Sequence, residues 1–111
     1  MEKLLALAAH LETTDKPYSQ RMYEMCAMGH YFHEVAKRSF EYQHAVLMTA
    51  WGHDAVPPMV LNEFGLTEEQ AHELFSSKGC GDAGNDKLKA ATYIRDFVAR
   101  NTVKHELAIA A

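Results

Sequence analysis

The chain has three prolines, at positions 17, 57 and 58, and this placement constrains the fold more than any other feature of the sequence. From Tyr18 to Trp51 no residue stops a helix outright, and Gly29 is the single weak point. The spacing therefore predicts one long central helix over roughly 18–51, or two helices stacked end to end. On a helical wheel Met25, Met28, Phe32, Val35, Ala36, Val46 and Ala50 share about one third of the circumference. That is the expected core face. Ser19, Tyr23, Cys26, His30, His33, Lys37, Glu41 and His44 line the opposite side, again three or four residues apart. Any chemistry on this helix belongs to that outer stripe.

The flanking segments read as shorter helices. Leu4, Leu7, Ala8 and Leu11 follow the i, i+3, i+4, i+7 spacing of one amphipathic stripe, closed by the polar break Thr13–Pro17. Pro57 and Pro58 favour a new start through Phe64, and Gly65 favours its end. Thr67 with Gln70 is a capping-box pair ahead of the apolar positions Ala71, Leu74 and Phe75. Ser76–Asp86 has loop composition, with Gly79, Gly81 and Gly84 permitting positive φ where the chain reverses. Asp86 then suits the N-cap of a helix through Arg100 that buries Ala90, Ala91, Ile94, Phe97 and Val98. Beyond it, Thr102–Ala111 either continues as a further turn or two or frays. The expected architecture is all-α, a single helical domain over 1–111 with about five helices.

Composition narrows the function classes. A chain of 111 residues with 48% hydrophobic and 23% charged side chains is sized for one globular core and does not depend on disulfide or metal staples. Its apolar runs, such as Ala45–Ala50 with a threonine inside it, are far short of the roughly 20 residues of a membrane span. Glu2 spoils the basic start of a signal peptide, so the expected compartment is the cytoplasm. Two cysteines, Cys26 and Cys80, fit a reducing compartment. A net charge of −4 argues against direct nucleic-acid binding. The charge is uneven: residues 1–52 carry five basic and six acidic side chains, 53–86 one and seven, and 87–111 five and two.

Several constellations bear on chemistry. Glu41–His44 and Glu69–His72 have the Glu-x-x-His spacing of carboxylate-bridged di-metal bundles, but the further long helices such a centre needs are missing. A simpler metal reading uses His30, His33, Glu41 and His44 on the long helix. His33 and His44 are about 16 Å apart along its axis, so other elements would have to complete the shell. Gly79–Gly84 matches G-x-G-x-x-G to the letter. It follows a helix where a dinucleotide site needs a strand, and Asp82 and Asp86 would repel a phosphate, so no cofactor is expected. Cys80, flanked by glycines, is sterically open but has no local Cys/His signature, and the chain is not expected to be an enzyme.

Tyr18, Tyr23, Tyr31 and Tyr42 fall at different angles on the predicted long helix, which places some of them on an interacting surface. A helix of that length outreaches a globule with a radius of gyration of about 13 Å, so part of it would pack on another chain or on a second copy. The run Leu66-Thr67-Glu68-Glu69-Gln70-Ala71-His72-Glu73-Leu74-Phe75, with Ala90–Val98 after the loop, resembles a segment of small helical proteins of bacteria and their phages. The resemblance covers about the last third of the chain and brings no catalytic residues with it. It implies a phage or mobile-element accessory protein, a class that includes anti-CRISPR inhibitors of host defence. The resulting expectation is a non-enzymatic protein-binding role. The contact residues would be Glu63, Glu68, Glu69 and Glu73 of the acidic segment, with Tyr31 and Tyr42 as aromatic anchors. The alternative is a metal-binding or metal-dependent protein using the histidine stripe.

Overall fold

Helix α1, Glu2–Thr13, buries Leu4, Leu7, Ala8 and Leu11, the four positions of the sequence stripe. The computed structural model describes residues 1–20, 26–38, 58–76 and 78–110, and among these the chain is helical and forms no strand. After α1 the backbone turns extended at Thr14 (φ −72, ψ 145) and crosses to Gln20 without helix, with Tyr18 and Gln20 buried.

The continuous helix expected over 18–51 is corrected by these residues. Helix α2, Ala27–His30, begins only after Cys26, whose extended backbone (φ −80, ψ 173) makes it an N-cap and whose Sγ accepts from the Gly29 N–H at 3.4 Å. It passes directly into a π-helical turn, Tyr31–Val35, and the helix stops where Lys37 takes φ +51. There the Ala36 N–H donates to the Tyr31 carbonyl at 2.7 Å and the Arg38 N–H to the Phe32 carbonyl at 2.8 Å. The first closure reaches one residue farther back than in an α-helix, as a π turn requires, and the second, across the left-handed Lys37, reaches two farther. Residues 39–51, with Glu41, Tyr42, His44, Val46 and Ala50, lie outside the described residues, as do Tyr23 and Met25.

The second half follows its sequence signals closely. Helix α3, Pro58–Phe64, ends at Gly65 (φ +67), and the Leu66 N–H returns to the Leu61 carbonyl at 3.0 Å in a Schellman closure. Helix α4, Glu68–Phe75, has the full capping box: the Thr67 hydroxyl accepts from the Gln70 N–H at 3.2 Å, and the Gln70 carboxamide oxygen accepts from the Thr67 N–H at 3.0 Å. It buries Ala71, Leu74 and Phe75.

The glycine-rich segment departs from a plain loop. Cys80, Gly81 and Asp82 all lie in the left-handed region (φ +55, +66 and +59), and the Asp82 and Ala83 N–H groups donate to the Lys78 and Gly79 carbonyls. This is one turn of left-handed helix, which costs about 1–2 kcal/mol at each residue carrying a Cβ. Asp86 then caps helix α5, Lys87–Ala110, its Oδ1 accepting from the Leu88 and Lys89 N–H groups at 3.1 Å each.

Helices α1 and α5 form the most extensive pairing among the described elements. They run antiparallel: Lys87 at the start of α5 donates to the Thr14 carbonyl just past the end of α1, and Arg95 grips Glu12 with two bonds of 2.6 and 2.8 Å. Ala90, Ala91, Ile94, Phe97 and Val98 are the buried face of α5, as the stripe predicts. Phe64 joins α3 to the π turn and to α4, its ring centroid 4.5 Å from that of Tyr31 and 5.1 Å from that of Phe75. Each such side chain removed from water contributes roughly 1.5–3 kcal/mol. No helix among the described residues is long and apolar enough to cross a membrane.

Candidate functional site

The four glutamates expected to form an acidic patch fall into two groups. Glu63 is taken up by the fold: its carboxylate accepts from the Tyr31 hydroxyl at 2.9 Å and from Nη2 of Arg38 at 2.7 and 2.8 Å, with Lys3 at 3.4 Å. Burial raises its pKa, but the Arg38, Tyr31 and Lys3 donors outweigh that and hold it below the ordinary carboxylate value. Glu73 accepts from the Tyr93 hydroxyl at 2.6 Å and from Arg100 at 3.2 Å, and that guanidinium also sits 5.8 Å above the Tyr93 ring. Both carboxylates brace the fold. Glu68 and Glu69, by contrast, are exposed in the first turn of α4 and carry no ion pair among the described residues.

The aromatic anchors need a similar correction. Tyr31 is only 3% exposed and its hydroxyl is committed to Glu63, so it presents no ring to a partner. Tyr18 is buried too, and Tyr42 lies outside the described residues. The physical reason is that every residue from Cys26 to Phe32 is buried. A helix wrapped on all sides has no outer stripe, and a wheel that divides it into core and solvent faces misplaces half its residues. The case for a second copy, which relied on a helix too long for the globule, loses its basis with the break at Lys37.

The metal reading meets the same obstacle. His30 is 3% exposed, with Nε2 at 2.9 Å from the Pro17 carbonyl and Nδ1 at 3.0 Å from Nε2 of His10, so neither nitrogen has a lone pair to spare for an ion. His33 is exposed and 3.7 Å from Glu34, and Glu41 and His44 lie outside the described residues. Among the described residues no group of three or more His, Cys, Asp or Glu side chains is placed to hold a metal ion. Cys80 is also corrected, from open to fully buried. Its thiol donates to the Leu74 carbonyl at 3.3 Å, and burial, with Cys26 nearby, pushes its pKa up to about 12. Cys26 is pushed up to about 11 by burial. Thiols this reluctant to ionise are weak nucleophiles.

Two residues that the sequence does not single out organise this region: His10, the partner of His30, and Gln20, a fully buried carboxamide. No periodicity marks either one, because their partners are far away along the chain. Compared with known proteins, the chain matches no family model, no curated protein and no solved structure.

Proposed function

We propose that the chain is a non-enzymatic protein-binding module, an accessory protein of the kind phages and mobile elements direct against host defence complexes. Its contact edge is Glu68 and Glu69 of α4. The observation that carries this reading is the contrast within the acidic segment: Glu63 and Glu73 are paired with basic side chains, and Glu68 and Glu69 are exposed with no such pair among the described residues. The capping box fixes the turn that holds the two carboxylates, so little order has to be imposed on them when a partner docks. The positive end of the helix dipole, equivalent to about half a charge, stabilises the pair without cancelling it. Such an edge complements a basic protein surface, including one that ordinarily holds nucleic acid. The biological class rests on the resemblance of Leu66–Phe75 and Ala90–Val98 to small helical proteins of bacteria and their phages.

The test is phage plaquing on bacteria whose CRISPR–Cas immunity restricts that phage, with this chain expressed in the cells. Plaquing should be restored by the natural sequence and not by the double variant Glu68→Lys, Glu69→Lys. Unchanged plaquing across the system types assayed would contradict the inhibitor class, and equal restoration by both forms would contradict the acidic edge.

A further inference from the structure

The contacts of His30 define where its protons sit. The Pro17 carbonyl can only accept, so Nε2 of His30, 2.9 Å away, carries a hydrogen. Nδ1 of the neutral ring is then a lone pair, and Nε2 of His10 at 3.0 Å must be the N–H that donates to it. Neutral His10 keeps its own lone pair on Nδ1. The two rings tie three parts of the chain together: the last turn of α1 through His10, the crossing segment through Pro17, and α2 through His30.

We propose that His10 and His30 form a two-step proton latch, in which one proton is accepted with the contact intact and a second drives the His10 ring out and frees the end of α1 from α2. A first proton from solvent adds to Nδ1 of His10, the half-buried ring, and leaves its Nε2–H donating to His30. A second has only Nδ1 of His30 to occupy. That sets two N–H groups and two positive rings against each other across 3.0 Å. His30, almost fully buried and held by Pro17, stays, whereas His10 can rotate into water.

The surrounding charges set the balance. Glu34 of the π turn favours the protonated rings, Lys87 at the start of α5 opposes both, and His33 opposes His30. Tyr18 adds an uncharged ring with its centroid 5.8 Å from that of His30. Burial is the largest influence on each histidine and lowers both pKa values below the ordinary 6.5. Two groups coupled this closely titrate as a pair in two macroscopic steps.

Long-range ¹⁵N–¹H NMR of the full chain, titrated from about pH 8 to about pH 4, reads the latch directly. The first step should alter only Nδ1 of His10 and preserve the ring-to-ring NOE. The second should protonate Nδ1 of His30 and abolish that NOE while the Ile94 amide stays protected from exchange. In His10→Gln, whose carboxamide does not titrate, a single His30 step should remain, at higher pH than the second step of the natural chain. Independent titration of both rings near 6.5, loss of the contact in the first step, or loss of Ile94 protection together with the contact would each overturn the proposal. So would a two-step profile that survives in His10→Gln.

Discussion

The carboxamide nitrogen of Gln20 donates to the main-chain carbonyl of Leu74 at 2.9 Å, joining residues 54 positions apart. The same nitrogen reaches the Ser76 carbonyl at 2.9 Å, while the carboxamide oxygen accepts from the Tyr18 hydroxyl and from the Ala27 N–H at 3.3 Å. All four hydrogen-bonding sites of the side chain are used, inside a fully buried position. One residue thereby fastens the crossing segment to the start of α2 and to the end of α4.

Gln20→Leu keeps the approximate volume and strips the hub of its polarity, taking this partner from the buried Ala27 N–H and Tyr18 hydroxyl, while the Leu74 and Ser76 carbonyls keep the Cys80 thiol and the Gly79 N–H. At about 1–3 kcal/mol for each of the two groups left unsatisfied and buried, the loss should total at least about 2 kcal/mol. Urea unfolding measures it. A change below about 1 kcal/mol would mean that the hub does not hold these segments.

Gly79 and Gly65 should respond oppositely to what their φ values suggest. A Cβ on Gly79 would stand 2.5 Å from the Leu74 carbonyl oxygen and 2.8 Å from Nε2 of Gln20, whereas one on Gly65 meets nothing within 4 Å despite a φ of +67. Gly79→Ala should cost roughly 2–3 kcal/mol through forced displacement of backbone. Gly65→Ala should cost only the left-handed penalty of about 1–2 kcal/mol. Equal unfolding midpoints would show that the Gln20 region yields easily.

Phe32 is fully buried against Tyr31 and Phe64, and its neighbour His33 is exposed. Phe32→Ala should therefore destabilise by roughly 3–5 kcal/mol. His33→Ala should stay within about 0.5 kcal/mol. Comparable losses in chemical denaturation would place His33 in the core.

What could be read from the sequence was what is decided locally. The α1 stripe, the Thr67–Gln70 box, the Gly65 stop, the Asp86 cap and the buried face of α5 each depend on residues within one or two turns, and all were legible. The break in the 18–51 segment was not. No residue type announces it: Lys37, an ordinary helix former, enters the left-handed region, and Cys26, a weak N-cap by type, turns extended. The candidate site divided in the same way. Exposure of Glu68 and Glu69 follows from their place in a capped first turn, whereas the capture of Glu63 by Tyr31, Arg38 and Lys3 is a tertiary event with no sequence period.

Stability should fall in two stages as the solution is acidified. His10 and His30 bind a proton less readily in the folded chain than at the ordinary 6.5, so the unfolded chain holds more protons just below that pH and stability drops there. Their contribution is complete above 6.5 and lost as pH falls toward the folded values. Glu12, held low by its Arg95 bond, and Glu63 stabilise above the ordinary 4.5 and lose that contribution as pH falls further. Urea midpoints across this range should show both declines, the first reduced in His10→Gln. A midpoint flat between pH 6.5 and 4.5 would contradict the burial of the histidine pair.

The proposed protein-binding role is tested most directly by affinity capture from lysates of bacteria carrying the CRISPR–Cas systems assayed above, comparing the natural chain with Glu68→Lys, Glu69→Lys over a salt gradient. Both exposed carboxylates lie outside the core, so the two forms should share one helical spectrum, with the urea midpoint of the variant lowered only by the lost helix-dipole interaction, about 0.3–1 kcal/mol for each carboxylate. A bacterial protein should be retained by the natural chain at low salt, released as salt screens charges over about 10 Å, and not retained by the double variant. Retention of the same proteins by both forms, with the same salt dependence, would contradict it.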